Sequence, residues 1–492
     1  MRYITIGERR EVFWDTFLLE EEIPATAAEK AEFRLQEPQK KEIVLRLNRK
    51  WEGKACGYFH CFHDGSRFRL YYRASQGFTG NKIVKKASVC VLLSDDGIHW
   101  ERPNLGLVDF RGSKDNNIVI SGDELDNFFV YRDENPACKP SDQYKAIAQG
   151  PKTPKLPNGG LWAYASSDGY SWRPLSDSPV MKEGYFDSLN TVHWDNELAK
   201  YRLYFRGFHG EESTGRYRDI RLALSDDFLN WGEEKLLSYG NAPEEQLYTN
   251  GILPYYRASH VRVGFPVRYV ERKWESMFEQ LPGLSWRREK MERFNETRLG
   301  TALTDGLFMC SRDGQNFHRY DEAFLKPGLF AENNWVYGDC YQSWGLLETT
   351  IEGNPAAKEI SFFVPEDYAS GPVGVRRYTI RLDGFACLYA GGREKQILTK
   401  PFVFSGNTLT LNMSTGAAGF VSAEFFDAAG APIEGFSGEA AYRMFGDDAC
   451  IKTLFRRGGG AVTDLSALEG KPVRVRFTLK EAKLYAIQFV RS

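Results

Sequence analysis

The chain has 492 residues, 42% of them hydrophobic and 14% aromatic, with a formal net charge of −2. That near-neutral balance, with no long basic run, excludes the concentrated positive field a nucleic-acid partner requires. There is no stretch of about 20 apolar residues, so no membrane partner is expected either.

Met1 to Glu11 is charged and lacks the apolar centre of a secretory leader. The eight cysteines follow no pairing motif, which suits reduced thiols, and a cytoplasmic location is expected. Strand signals then dominate the chain. Glu11 to Leu19 and Gly57 to Ala74 predict a first blade, and Arg67 to Tyr72 within it alternates apolar and polar residues. Ser94-Asp95-Asp96-Gly97-Ile98-His99-Trp100 opens an internal repeat. It returns as Ser166-Ser167-Asp168-Gly169-Tyr170-Ser171-Trp172 and, more weakly, from Ser225 to Trp231 and from Ser311 to Phe317. The copies lie about 60 to 85 residues apart, a period that fits enlarged propeller blades. In each, an Asp before Gly predicts a tight turn with Gly at positive φ, and the aromatic packs back onto the blade. These copies are read as structural hairpins.

Four copies plus an N-terminal portion predict five blades, an all-β propeller over residues 1–375. Tyr201 to Arg206 is a further strand within it. Glu271 to Arg298, charged but carrying Trp274, Phe278, Leu281 and Trp286, predicts a few helical turns inserted between the fourth and fifth blades. From Arg376 the texture changes. The turns Asp383-Gly384 and Ala429-Gly430, with strands at Leu409–Met413, Ala423–Phe426 and Val473–Leu479, predict a β-sandwich over residues 376–492.

A propeller holds ligands over its central channel, at one end of the innermost strands. Glycoside chemistry there needs converging carboxylates whose environments separate acid from base or nucleophile. One acidic residue per blade is expected, embedded in an apolar or aromatic strand start, and four carboxylates are candidates. Asp15 lies in Val12-Phe13-Trp14-Asp15-Thr16-Phe17, with a backbone-capping turn as its structural alternative. Asp133 follows Phe129-Val130-Tyr131-Arg132, with an ion pair as its alternative. Asp187 lies in Tyr185-Phe186-Asp187-Ser188-Leu189-Asn190, with an Asx turn as its alternative. Glu245 lies in Pro243-Glu244-Glu245-Gln246-Leu247-Tyr248-Thr249-Asn250, where either Glu suits an acid.

Substrate contacts are expected from Arg132, Asn190, Tyr248, Asn250, Arg268, Trp335, Tyr337 and Asp339. Tyr248 and Asn250 share one strand face, as do Trp335, Tyr337 and Asp339, and Trp335 or Tyr337 suits stacking on a sugar ring. Cys56, His60, Cys61 and His63 alternate across a strand, so no single zinc takes all four. No cofactor is expected. No phosphate loop, dinucleotide fingerprint, paired-His zinc motif or Gly-x-Ser-x-Gly elbow occurs.

Phe13-Trp14-Asp15, the Ser-x-Asp-Gly-x-x-Trp copies, Tyr131-Arg132-Asp133, Phe186-Asp187-Ser188-x-Asn190, Leu247-Tyr248-Thr249-Asn250 and Arg381-Leu382-Asp383-Gly384-Phe385 together carry a resemblance. Over nearly its whole length the chain resembles the bacterial five-bladed propellers with a C-terminal β-sandwich that are similar to glycoside hydrolase family 32, with families 43 and 68 implied as distant relatives. The resemblance implies that Asp15 is nucleophile or base and that Asp133 orients the sugar. It implies that Asp187 shares or takes over that role and that Glu245 is the general acid. The Asn-Asp-Pro-Asn opening and the Glu-Cys acid motif of family 32 itself are absent. The repeat copies also resemble sialidase Asp-boxes, but sialidases use six blades. The expected function is hydrolysis of a small oligosaccharide or glycoside, including furanosides. The alternatives are a non-catalytic carbohydrate-binding propeller, or a phosphorylase, lyase or epimerase; for a phosphorylase, Arg132, Arg206 and Arg268 would supply a basic pocket.

Overall fold

The computed structural model describes residues 3–20, 29–76, 78–79, 82–83, 86–123, 125, 127–210, 216–368 and 370–492. The chain divides into two compact units. One comprises Pro38–Tyr255 and His260–Ile380, the other Met1–Glu37, Tyr256–Ser259 and Arg381–Ser492. Among the described residues no helix is long and apolar enough to cross a membrane.

The larger unit is a five-bladed β-propeller of four-stranded sheets. The first strands of the blades are Gly57–His63, Phe129–Arg132, Thr191–Asp195, Leu253–Tyr255 and Leu347–Ile351. These innermost strands and the residues beside them are tied to one another. Val130 N–H donates to His60 Nε2 at 3.0 Å, Thr191 Oγ1 donates to Asn250 Oδ1 at 2.7 Å, and Trp344 N–H donates to the Phe59 carbonyl at 2.9 Å. The fifth blade takes its outer strand, Gln39–Leu47, from the start of the unit. It pairs with Val373–Arg381, Leu47 opposite Val373 and Gln39 opposite Thr379.

The repeated turn follows the third strand in each of the first four blades and is built on side-chain acceptors. Gly97 N–H donates to Ser94 Oγ at 2.9 Å, and Ile98 and His99 N–H donate to Asp96 Oδ1 at 2.8 and 2.7 Å. Asp168, Asp227 and Asp313 repeat the arrangement. Burial opposes ionisation of these carboxyls, but the accepted hydrogen bonds prevail and hold all four below the usual carboxylate range. The turns also dock neighbouring blades. Tyr71 Oη donates to the Gly169 carbonyl at 3.0 Å, and Tyr204 Oη to the Gly314 carbonyl at 2.8 Å. Gly97, Gly169 and Gly314 take φ of 76°, 78° and 75°, while the third copy has Phe228 there at φ 72°. Phe228 is fully buried against the rings of Tyr131 and Tyr201, so packing replaces the glycine. Asp168→Ala is expected to cost about 1–2 kcal/mol by removing the turn's acceptor, measured as a lower denaturation midpoint at pH 7.

Two sequence expectations differ from the structure here. Glu11 to Leu19 is not part of the first blade. Glu11–Val12 pairs with Val473–Val490, Glu11 opposite Ile487, and Phe13, Leu18 and Leu19 belong to the smaller unit's core. An apolar run specifies burial, not which sheet receives it, so residues 1–37 leave the predicted 1–375 propeller. The helical segment also lies inside the fourth blade rather than after it. It comprises the helices Leu284–Phe294 and Arg298–Thr301, set between the paired strands Val267–Val270 and Leu303–Gly306.

The smaller unit is a nine-stranded sheet dominated by Thr408–Asp427 and Val473–Val490, which pair along nearly their whole length. Register breaks at Asn412/Met413 and Thr415/Phe420 bend the pair. Phe402, Phe404, Phe425, Phe477 and Phe489 fill its core.

Candidate active site

The residues preceding or opening the innermost strands meet at one end of the propeller. Gly57 and Tyr58 open the first of these strands. Asp187 precedes the third, Tyr248 the fourth, and Tyr337, Gly338 and Tyr341 the fifth. With Arg73, Pro365 and Tyr368 they line a pocket enclosing about 490 Å³ of space open to solvent. Five of the lining side chains are tyrosines, and Asp187 is the one carboxylate among them.

The tyrosines hold one another. Tyr337 Oη donates to Tyr248 Oη at 2.9 Å, and the rings of Tyr337 and Tyr341 stand edge-on to Tyr248 at 5.8 and 5.7 Å. Tyr58 takes the left-handed backbone, φ 53°, and its carbonyl accepts from His60 Nδ1 at 3.0 Å. Because His60 Nε2 accepts the Val130 amide, its proton sits on Nδ1 and the ring is neutral. Burial draws its pKa down to about 4. Both nitrogens are thereby used in the scaffold. Among the described residues no group of three or more His, Cys, Asp or Glu side chains is placed to hold a metal.

Arg206 stands beside Asp187, its Nη2 3.7 Å from Oδ2. The arginine side chain is 9% exposed and the aspartate 57%. The Arg206 guanidinium also lies over the Tyr248 ring at 5.6 Å. Asp187, Tyr248 and Tyr337 are therefore brought together, and the other predicted site residues are not.

Asp133 follows its innermost strand instead of preceding it. Its buried carboxylate accepts from Lys145 Nζ, from Tyr201 Oη at 2.8 Å and from Asn135 N–H at 3.0 Å. The same pair recurs as Asp64 with Arg69 and Asp195 with Arg202, both at 2.5 Å. Strand register makes Phe68-Arg69, Tyr144-Lys145 and Tyr201-Arg202 equivalent, because Phe68, Tyr144 and Tyr201 each face the serine of their blade's turn. Asp133 is thus the second blade's copy of a structural ion pair. Arg132, exposed, lines a different opening with Phe62, His63, Asp133, Glu134 and Trp344.

Asp15 lies in the smaller unit, where its Oδ1 accepts Phe17 N–H at 3.0 Å in an Asx turn. Glu245 pairs with Arg268 at 3.1 Å, and Arg268 pairs in turn with Asp305 at 2.6 Å. Asn190 and Asn250 are buried. Asn190 donates to the Phe186 and Ser188 carbonyls. Asn250 donates to the Leu189 and Tyr204 carbonyls and accepts from Thr191 and Ile252. Tyr248 and Asn250 both precede the strand Leu253–Tyr255 rather than sharing a strand face, and these bonds put Asn250 into the joint between blades. Trp335 donates to the Gly328 carbonyl at 2.8 Å and packs on Phe330.

Asp339 lies next to Gly338 behind the pocket wall and accepts Val336 N–H at 3.1 Å. Burial raises its carboxyl to about 7. A carboxyl raised on folding favours the native state below the unfolded pKa near 4, and that contribution is lost as pH rises through 7. Asp339→Asn is expected to raise stability at pH 8.5 by up to about 4 kcal/mol and to leave it little changed at pH 4. Thermal unfolding at the two pH values measures both.

Reading the sequence alone missed Tyr58, Arg73, Tyr341 and Tyr368 in the pocket, and Arg287 behind it. Arg287 is fully buried. It donates to the carbonyls of Gly300, Asn334 and Trp335 at 3.2, 2.9 and 2.8 Å, fastening the loop that carries Tyr337. In a helix that reads Leu284-Ser285-Trp286-Arg287-Arg288-Glu289-Lys290, nothing marks which cation turns inward.

No family model matches the chain, and no curated protein does. It is similar to a solved structure described as a glycoside hydrolase, at TM-score 0.45 and 15% identity over 71% of this chain and 93% of that one. It is also similar to a GH32 β-fructofuranosidase of Bombyx mori, at TM-score 0.38 and 11% identity over 92% and 94%. A third similar structure is a variant fructofuranosidase of Schwanniomyces occidentalis, at TM-score 0.40 and 11% identity over 91% and 97%.

Proposed function

We propose that the tyrosine-lined pocket is a sugar site and that the chain acts on glycosides there, with Asp187 as the reacting carboxylate. The observation that carries this reading is the convergence of five tyrosines and one carboxylate in a single pocket at one end of the propeller. Tyrosine faces stack on the C–H surface of a sugar ring while their hydroxyls bond its own. In hydrolysis Asp187 accepts a proton from the attacking water or gives one to the leaving oxygen. Asp15, Asp133 and Glu245 have no part in this proposal.

One observation favours a second reading. Paired-carboxylate glycosidases set their two groups about 5–9.5 Å apart across the bond, and among the described residues no second carboxylate lines this pocket. A propeller that binds sugar without cleaving it would look the same.

The test is a panel of aryl furanosides and pyranosides of both anomers. Aglycone release is followed alongside calorimetric binding of the matching free sugars. Release supports glycoside cleavage. Binding without release selects the second reading. Neither binding nor release across the panel overturns the sugar site.

A further inference from the structure

We infer that the sugar taken by this pocket is anionic, carrying a ring carboxylate that the arginines around the tyrosine cluster receive. The inference rests on the sugar-site reading above and adds the substrate's charge. Four guanidinium groups stand over rings that line the pocket. Arg73 lies over Tyr58 at 4.7 Å, Arg206 and Arg218 over Tyr248 at 5.6 and 5.9 Å, and Arg298 over Tyr337 at 5.8 Å. Against them the pocket wall presents one carboxylate, Asp187.

The acids nearby are committed elsewhere. Glu245 and Asp305 hold Arg268, Asp219 and Glu244 hold His209, and Glu296 meets Arg298 at 3.5 Å, while Arg73 donates to the Ala55 carbonyl and to Tyr368 Oη. Arg206 meets its carboxylate only at 3.7 Å, beyond hydrogen-bond reach. Arg218 bonds a neutral group, the Gln246 side chain. A planar oxyanion in the pocket would meet such guanidinium groups through their terminal nitrogens, two donors at a time. A neutral sugar offers its hydroxyls to the tyrosines but leaves Arg206 and Arg218 without an anion within hydrogen-bond reach.

The experiment compares aryl hexuronides of both anomers with the matching aryl hexosides and with the uronide methyl esters, reading binding and release. Inorganic phosphate is titrated as a separate probe. Uronides are expected to be preferred at least tenfold over both neutral forms, with the preference shrinking as salt rises. Arg206→Gln is expected to erase the preference by weakening uronide binding at least tenfold. Should that variant fail to fold, Arg218→Gln, nearer the surface, is expected to reduce the preference in the same way.

Equal or better use of the hexosides overturns the inference and leaves the sugar site standing. Hexoside cleavage that depends on inorganic phosphate also overturns it, assigning the arginines to a phosphate co-substrate. Absence of binding by every sugar overturns both readings.

Discussion

Asp187→Asn is expected to lower turnover of the pocket's glycoside by about 10²–10⁴-fold, the range a positioned acid or base contributes, with KM changed far less. The substitution keeps the side chain's shape and removes its ability to carry the proton. Its side chain is 57% exposed and the nearest cation is 3.7 Å away, so the fold loses little. Asp15→Asn and Glu245→Gln are the informative controls. Asp15 caps a turn in the smaller unit, and Glu245 is occupied by Arg268. Both variants are expected to keep turnover within about threefold, well short of the loss a proton-transferring group causes. Steady-state kinetics on purified variants with matched unfolding midpoints makes the comparison. Full activity in Asp187→Asn would remove Asp187 from the chemistry, and a collapse in Asp15→Asn would restore the role the family resemblance gave it.

Lys145→Met is expected to destabilise the chain by about 3–5 kcal/mol, the usual result of leaving a buried carboxylate without its cation. Asp133 is wholly buried and Lys145 nearly so, and burial disfavours the Lys145 ammonium before Asp133 raises its pKa. The double variant Asp133→Leu/Lys145→Met removes both charges together and is expected to cost less than Lys145→Met alone. Urea denaturation at pH 7 reads the difference. Catalysis separates this role from the one implied by resemblance. In folded protein at low temperature, Asp133→Asn is expected to retain kcat, because its partners are Lys145, Tyr201 and Asn135 and it does not line the tyrosine pocket.

Much of the propeller was legible because its repeat is chemical as well as periodic. A serine and an aspartate two residues apart build the same turn four times, and that spacing survives where the glycine does not. Asp187, Tyr248 and Tyr337 were legible for a related reason, each lying in the aromatic segment just before an innermost strand. The ion-pair identity of Asp133 was also present in the letters. Phe68-Arg69, Tyr144-Lys145 and Tyr201-Arg202 are aligned dipeptides, each preceded by an acid at a strand end, but the acids lie at unequal distances upstream because the connecting loops differ in length. Asp15 was not legible. Its neighbours Phe13 and Leu18 declare that they are buried, and only strand pairing decides in which unit. Tyr58, Tyr341 and Tyr368 were hidden because a pocket assembled from several loops has no period.

The closing strand Gln39–Leu47 sets a timetable for synthesis. It leaves the ribosome early, yet its partner follows roughly 330 residues later, a wait of roughly 16–65 s at ordinary elongation rates. The apolar segment around Phe13 and Trp14 waits longer still, until Val473–Val490 emerges. A nascent chain therefore carries both edges unpaired until those partners emerge, while chaperones or aggregation compete for them. The same geometry indicates where an isolated propeller should be cut: a fragment beginning near Pro38 and ending near Ile380 keeps its closing strand and omits the sticky N-terminal segment.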